Sequence, residues 1–348
     1  MEDRLETFYR GRRVLVTGGL GFVGSSLARE LVRLGAVVSV IDACFPDQGA
    51  NLFNLEGVLD DLNLVVADIG SVDEISDFLV DQEVVFNLAA CTSHVGSLHN
   101  PLQDLERNCA SQLRFLCALR DLSPQARVIY TGSRSQYGSP FYLPVNEEHP
   151  LRPVDVNGVH KTAVEEYHRI FHEQGHFRCT SLRLSNIFGP RHQMLHDGQG
   201  FLNWFIRQGL CGEEILVFGN GSQKRDFLYV DDAVEAILLT ATCPDCEGRT
   251  FNLASGTHLS VAETAAAVCE LTGSSWRCIP FPIERISVEP GNIILDASRL
   301  QETLCWKPRW DFHAALKETV AFYRQHGSHY LHPPRGKMVL ERKGLAPT

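Results

Sequence analysis

A glycine-rich segment near the N-terminus, Gly18-Gly19-Leu20-Gly21-Phe22-Val23-Gly24, constrains the fold of this chain more than any other feature. It follows an apolar run, 14–16, and precedes a stretch in which leucines recur at helical spacing, 27–34. Between a strand and a helix, glycine permits a tight turn, lets a backbone amide approach a pyrophosphate and allows close packing. The unpaired amides and positive dipole end of the helix attract phosphate groups. The segment therefore predicts a dinucleotide site that includes Gly18, Gly21, Phe22, Val23 and Gly24.

A second apolar run, Val37 to Ile41, ends in Asp42, about 20 residues beyond the glycines. A carboxylate at this spacing accepts a hydrogen bond from a ribose 2′-hydroxyl. The same charge repels the 2′-phosphate of NADP. The sequence thus favours NAD as the cofactor, against the alternative of a structural turn with a chance aspartate.

Strand-like runs alternate with helix-like stretches through the first half of the chain, which is typical of a doubly wound parallel sheet. We predict an α/β fold, a Rossmann-type sheet with a smaller C-terminal α/β lobe that binds the substrate. Ligands of open α/β sheets lie at the carboxyl ends of the strands, where the polar residues of this chain are grouped. The predicted NAD-binding domain is 11–189 plus about 225–255, with 225–232 returning to the main sheet. The substrate lobe is about 190–224 and 256–330, and 331–348 is a loosely ordered tail.

The composition excludes several classes of function. The net charge of −10 disfavours nucleic acid as a partner, because binding a polyanion requires a basic face. No apolar run approaches the roughly 20 residues of a membrane span, and the N-terminus lacks the apolar core of a signal peptide. We therefore expect a cytoplasmic protein with reduced cysteines. The pair in Cys243-Pro244-Asp245-Cys246 is expected to be a turn with two incidental thiols, and no metal site is predicted.

Several motifs occur together in one order: Thr17 to Gly24, Asp42, Asp68-Ile69, Leu88-Ala89-Ala90, Ser133 to Gly138, Lys161, Asn186 and Arg225-Asp226. On these motifs the chain, over about 11–325, resembles the extended short-chain dehydrogenase/reductase family, in particular its nucleotide-sugar epimerases and dehydratases. The resemblance implies that Asp68 and Ile69 flank the adenine and that Leu88, Ala89 and Ala90 line the cofactor path. It implies that Asn108 ties the strands beneath the site, that Lys161 bonds the nicotinamide ribose, and that Asn186 and Arg225 meet a nucleotide sugar, with UDP favoured. It also implies a homodimer, for which the helices from about 101 and 157 are candidates.

The chemistry implied by the resemblance is transient oxidation of a sugar hydroxyl by tightly held NAD, carried out by serine or threonine, tyrosine and lysine. Ser133 and Lys161 match the first and third of these, but Asn157 occupies the tyrosine position. An amide is no proton acceptor near neutral pH, whereas a tyrosine whose pKa is lowered can be one. The candidate bases are Tyr137, His94, Cys91 and a water held by Asn157. His160 is expected to point elsewhere on its helix.

Two further differences from the residue pattern of the family reduce the number of possible reactions. Arg134 and Ser135 replace the acidic pair of the dehydratase branch, which disfavours that elimination and a glutamate-assisted decarboxylation. Arg134 is either exposed or placed to meet a charged group of the sugar, such as a carboxylate. Near 289–292 the family often has an arginine and an aspartate for the nucleotide, and Arg285 is a candidate substitute. The expected activity is NAD-dependent nucleotide-sugar epimerisation of UDP-hexose 4-epimerase type. The alternatives are a non-catalytic NAD and nucleotide-sugar binding protein and another nucleotide-sugar oxidoreductase or dehydratase.

Overall fold

A seven-stranded, wholly parallel sheet forms the centre of the molecule. The computed structural model describes residues 2–46, 48–286 and 288–331, so the predicted tail beyond 331 lies outside the described residues. The strands are β1 (Arg13–Thr17), β2 (Val37–Asp42), β3 (Leu62–Val66), β4 (Val84–Asn87), β5 (Arg127–Ser133), β6 (Arg178–Leu184), β7 (Asn186–Phe188), β8 (Ile215–Phe218), β9 (Lys224–Tyr229), β10 (Thr250–Leu253), β11 (His258–Ser260) and β12 (Trp276–Ile279). In the main sheet their order is β10-β6-β5-β4-β1-β2-β3. This crossover order is that of a doubly wound α/β fold, which confirms the predicted class.

Helices cover the sheet and carry several of the polar residues of interest. They are α1 (Glu2–Tyr9), α2 (Phe22–Arg33), α3 (Val72–Leu79), α4 (His94–His99), α5 (Pro101–Leu105), α6 (Ser111–Leu122), α7 (Val156–Glu173), α8 (Phe201–Leu210), α9 (Val230–Thr242), α10 (Val261–Thr272), α11 (Ile283–Ile286), α12 (Ser298–Leu304), α13 (Phe312–His326) and α14 (Ser328–Leu331). A π-helical turn, Glu106–Ala110, joins α5 to α6. Within the described part of the chain, no helix has the length and apolar character needed to cross a membrane.

The alternation of side chains along β1 explains why the sheet is buried on both faces. Val14 and Val16 belong to one apolar core, together with Leu27 and Leu31 of α2. Leu15, which points the opposite way, packs with α3 and α6 in the other core. Each such side chain gains about 1.5–3 kcal/mol on burial. The two cores fix the sheet, so the loops at its carboxyl edge have a rigid base.

Contrary to the prediction, the segment 225–232 does not return to the main sheet. Its strand, β9, pairs with β7 and β11 in a separate three-stranded sheet, and the main sheet is completed by β10 beside β6. Phe227 of β9 packs against Phe188 and Phe312. An apolar run predicts a buried strand, but it does not predict which of two neighbouring sheets receives it. The division of the chain into two domains stays a prediction.

Candidate functional site

A cleft of about 730 Å³ lies at the carboxyl edge of the main sheet. It extends from the glycine-rich turn after β1, past the ends of β2, β4 and β5, to the β7–β9 sheet and the segment around 285–293. A volume in this range is that of a cofactor or substrate site. Most of the residues predicted from the sequence line this one cleft: Gly18, Gly21, Phe22, Val23, Gly24, Asp42, Asp68, Ile69, Leu88, Ala89, Ala90, Ser133, Arg134, Asn157, Lys161, Asn186 and Arg225.

The turn between β1 and α2 tolerates no larger residue at two of its glycines. A Cβ atom on Gly24 would lie 2.2 Å from the carbonyl oxygen of Gly18, and one on Gly18 would lie 3.1 Å from the backbone of Ala89. Gly18 also has φ of +69°, in the left-handed region. Gly21 caps α2 without any side-chain hydrogen bond, so the first amides of the helix face the cleft unblocked by a side chain. This is the arrangement that binds phosphate oxygens.

Asp42, at the end of β2, is hydrogen-bonded to this turn. Its two carboxylate oxygens accept hydrogen bonds from the amides of Leu20 and Cys44, each at 2.9 Å. Burial raises the pKa of Asp42, and the backbone amides oppose this rise. Just after the next strand, β3, Asp68 accepts a hydrogen bond from the Gly70 amide at 2.6 Å. Both carboxylates line the part of the cleft that is nearest the glycines.

Asn108 does not line the cleft itself, and it holds the loop after β4 where the prediction had it tie the strands beneath the site. Its side-chain oxygen accepts from the Cys91 amide at 2.8 Å and its nitrogen donates to the Cys91 carbonyl at 2.9 Å. The side chain is buried, at 3% exposure. Asn108 therefore fixes Cys91, which does line the cleft.

Lys161 and Ser133 face the cleft where α7 passes the end of β5. The Lys161 ammonium donates to the Thr131 carbonyl at 3.0 Å, and burial lowers its pKa to about 8. The Ser133 hydroxyl oxygen accepts hydrogen bonds from the amide and the hydroxyl of Ser135, at 3.1 and 3.0 Å. A buried cation and a hydroxyl that line the same cleft are suited to polarising a bound alcohol or carbonyl.

Tyr137 is not available as a base, contrary to the sequence-based candidate. The residue follows Ser133 by one short 3₁₀ turn, and this turn directs its ring into the interior, with no exposed surface. Its hydroxyl donates to Asn252 at 2.6 Å and accepts from Arg183 at 2.9 Å. Burial raises the pKa of Tyr137 to about 12, although Arg183 opposes this rise. The role of Tyr137 is structural.

Asn157 lies on the first turn of α7 and lines the cleft, but its side chain is hydrogen-bonded to the backbone. The amide nitrogen donates to the Cys91 carbonyl at 2.6 Å, and the residue is 2% exposed. Its main-chain N–H donates to the Ser97 hydroxyl of α4 at 3.1 Å. Burial raises the pKa of the Cys91 thiol to about 11, so this second candidate base is protonated near neutral pH.

A histidine–carboxylate pair lies beside Asn157. Nδ1 of His94, at the start of α4, is 2.7 Å from a carboxylate oxygen of Asp155, and both residues line the cleft. Burial acts to raise the pKa of Asp155, but the hydrogen bonds from His94 and the Gly158 amide outweigh burial and lower it. His160 instead bonds Asp104 at 2.6 Å, away from the cleft, as predicted. Sequence reasoning did not name Asp155 as a site residue. The feature that could have identified it is its position just before the predicted helix, where an N-cap residue is expected.

The opposite end of the cleft is cationic. The Arg134 Nε donates to the side chain of Asn186 at 3.2 Å. Burial, followed by the charge of Arg225, lowers the pKa of Arg134 to about 10. Arg225 is 5% exposed and donates to a carboxylate oxygen of Glu289 at 2.6 Å. Sequence reasoning missed Glu289 as this partner, because 64 residues separate the two. Arg285 also lines the cleft, where it donates to Asp197 at 2.5 Å.

The sequence from 14 to 254, more than half of the chain, matches the NAD dependent epimerase/dehydratase family. The chain belongs to this family. Among curated relatives, it is 31% identical over 318 residues to a UDP-glucose 4-epimerase of Mycolicibacterium smegmatis, covering 90% of this chain and 98% of the relative. It is also 31% identical over 328 residues to a UDP-N-acetyl-alpha-D-glucosaminuronate decarboxylase of Bacillus cytotoxicus, covering 90% and 98%.

Solved structures of family members have the same fold. A Thermotoga maritima UDP-glucose 4-epimerase with UDP-glucose has a TM-score of 0.81 at 28% identity, covering 90% of this chain and 99% of that one. MoeE5 in complex with UDP-glucuronic acid and NAD has a TM-score of 0.78 at 28% identity, also covering 90% and 99%. The present family member is therefore an NAD-dependent enzyme with a Rossmann-type fold, in a family that acts on nucleotide sugars.

Proposed function

We propose that this protein is an NAD-dependent epimerase of nucleotide sugars, of the UDP-hexose 4-epimerase type. The observation that carries the proposal is the continuity of one cleft, which joins the glycine-rich turn to the cationic end around Arg134 and Arg225. Ser133 and Lys161 lie in the same cleft. The similarity to UDP-glucose 4-epimerases over nearly the whole chain supports this assignment.

The residues present fit NAD. In our proposal the pyrophosphate lies against the turn at Gly18 and Gly24, where any added Cβ would collide with backbone. Asp42 accepts from the adenosine ribose, Asp68 and Ile69 flank the adenine, and Leu88, Ala89 and Ala90 line the cofactor path. Bound NAD supplies the oxidation and subsequent re-reduction of a sugar carbinol carbon. Lys161 supplies a positive field and a hydrogen bond to the second ribose.

The nucleotide-sugar site is proposed for the cationic end of the cleft. A guanidinium can fork onto two phosphate or carboxylate oxygens, and Arg134 uses only its Nε among the described residues. Arg225 is already bound to Glu289 and two backbone carbonyls, so its role is to add charge and hold this end in place. Asn186 positions Arg134 and contributes a polar edge for the nucleotide. Ser133 donates to the oxygen at the reacting carbon.

A homodimer is proposed through the outer faces of α5 and α7. Leu102 is 79% exposed and Val159 is 51% exposed, although both are apolar and lie on adjoining helices. Exposed apolar side chains grouped in this way are typical of an interface between subunits. Light scattering of the purified protein tests this point directly.

The activity is tested by NMR of the anomeric sugar protons. The purified protein with NAD is incubated separately with UDP-glucose, UDP-N-acetylglucosamine and UDP-glucuronate, and absorbance at 340 nm is followed in parallel. We expect conversion of at least one sugar to its C4 epimer without net formation of NADH. Lys161→Met serves as the inactive background control.

Three other outcomes would contradict the proposal. Stoichiometric NADH formation indicates a one-way dehydrogenase. Release of CO₂ or water from the sugar indicates a decarboxylase or dehydratase. Calorimetric binding of NAD and of UDP-sugars with no conversion indicates a binding protein that has lost turnover.

A further inference from the structure

The proposed reaction requires a group that takes the proton of the sugar hydroxyl, and the family position for that group holds Asn157. The Asn157 amide has no basic lone pair near neutral pH, and its nitrogen is bound to the Cys91 carbonyl. Tyr137 lies in the interior, bonded to Asn252 and Arg183. The buried Cys91 thiol has a raised pKa. Of the side chains considered as bases from the sequence, His94 is the one that remains, and it lines the cleft.

His94 is held in the orientation of a general base. Its Nδ1 lies 2.7 Å from Asp155, whose carboxylate also accepts from the Gly158 amide at 2.7 Å and so cannot turn away. A carboxylate on Nδ1 places the proton there and leaves Nε2 as the acceptor. Among the described residues, Nε2 has no hydrogen-bond partner. The ring lines the cleft, and the side chain is 38% exposed.

The pair also lies next to Asn157, the sequence position at which the tyrosine is missing. Asp155 is the N-cap of α7, two residues before Asn157 on the same helix. A second hydrogen bond joins α4, which carries His94, to the start of α7: the Ser97 hydroxyl accepts from the Asn157 N–H at 3.1 Å. The Asn157 side chain in turn fixes the Cys91 carbonyl, three residues before His94. Asn157 therefore positions the loop that presents the imidazole.

We propose that Nε2 of His94 is the proton acceptor and donor of this enzyme, and that Asp155 and Asn157 are positioning residues for it. The proposal rests on the proposed epimerase function. In the first half-reaction the hydroxyl proton moves to Nε2 as the carbon–oxygen bond becomes a carbonyl, while the carbon-bound hydrogen and its two electrons pass to NAD⁺, the oxidant. In the second half-reaction the carbon regains its hydrogen on the opposite face, and the imidazolium returns its proton to the oxygen.

The charges around the pair suit this cycle. Asp155 is anionic and stabilises the imidazolium that forms when Nε2 takes the proton. After His94 itself, Arg134 also acts on Asp155 through space, and it favours the ionised carboxylate. The imidazole thus takes over a function that a tyrosine performs only when neighbouring positive charge lowers its pKa.

The primary test compares His94→Gln with His99→Gln, a matched control on the same helix. His99 is exposed and does not line the cleft. We expect His94→Gln to lower kcat by about 10²- to 10⁴-fold, the range for loss of a general base, with Kd for UDP-glucose and for NAD within about twofold of wild type. Added imidazole is expected to restore part of this loss. His99→Gln is expected to retain wild-type turnover.

Asp155→Asn tests the positioning role separately. Asparagine is as good an N-cap as aspartate, so α7 is preserved while the charge on the imidazole is removed. We expect kcat to fall with KM unchanged. Long-range ¹H–¹⁵N NMR of the histidine rings is expected to show His94 as the Nδ1–H tautomer in wild type and to lose this signature in Asp155→Asn. Addition of UDP-glucose and NAD is expected to shift the His94 ring signals and to leave those of His99 in place.

The outcomes separate the two proposals. If wild type binds UDP-sugars and NAD but converts none, the epimerase function fails, and the ring spectra still report whether His94 meets the ligand. Turnover of His94→Gln within about threefold of wild type overturns the assignment of the base. So does a His94 ring whose signals do not respond to the bound nucleotide sugar.

Discussion

Replacement of the buried Lys161 by methionine is expected to stabilise the fold at neutral pH while abolishing turnover. Burial lowers the pKa of Lys161 from 10.5 to about 8. At about 1.36 kcal/mol for each unit of pKa, the folded state loses about 3 kcal/mol by holding this charge below pH 8. Methionine removes that loss but leaves the Thr131 carbonyl without its donor, at a cost of about 1–3 kcal/mol. The net gain in unfolding free energy is up to about 2 kcal/mol.

The pH dependence distinguishes this cause from ordinary repacking. Between pH 8 and 10.5 the unfolded lysine is still protonated and the folded one is not, so the unfolded state binds more protons. Wild-type stability therefore rises with pH relative to Lys161→Met, and most of the roughly 3 kcal/mol is regained by pH 10.5. Groups that titrate equally in both proteins cancel in the difference. The sign of the difference is expected to reverse within this range.

Urea unfolding of wild type and Lys161→Met at five pH values from 7 to 10.5 measures the difference. Lys307→Met, which alters an exposed lysine, is the matched control and is expected to give a difference that stays near zero throughout. A difference between wild type and Lys161→Met that is constant from pH 7 to pH 10.5 would refute the argument, because Lys161 would then titrate alike in both states.

Three further predictions concern residues around the cleft. Tyr137→Phe is expected to leave kcat within about twofold of wild type, because the Tyr137 hydroxyl faces the interior. The lost hydrogen bonds, one of them to Arg183, are expected to lower the free energy of unfolding in urea by about 1–3 kcal/mol. A large fall in kcat would reinstate Tyr137 as a base. Glu165→Gln leaves the buried Arg183 guanidinium without its counter-charge and is expected to lower the unfolding free energy by about 3–5 kcal/mol; a change below 1 kcal/mol would contradict the buried pair. Gly24→Ala places a Cβ 2.2 Å from the Gly18 carbonyl and is expected to weaken NAD binding by about tenfold or more in calorimetry, whereas unchanged affinity would show that the turn can relax.

Local sequence patterns were enough to predict the main elements of the fold. The helix expected from about 157 is α7, Val156–Glu173, and the glycine-rich turn lies between β1 and α2. These elements depend on side-chain periodicity and on the conformational freedom of glycine, both of which are properties of neighbouring residues. The same reasoning placed the polar residues at strand ends, so it grouped most of the cleft correctly.

Only the tertiary structure decided which side chains meet. His94 and Asp155 are 61 residues apart in sequence, Arg225 and Glu289 are 64 apart, and the Asn157 side chain reaches Cys91 across 66. One 3₁₀ turn sends Tyr137 to the interior, although it is four residues from Ser133. Such contacts depend on how separate segments pack, and no local pattern encodes that. The sequence therefore determined the sheet and the cofactor cleft, while packing determined that His94 and Asp155 meet beside Asn157.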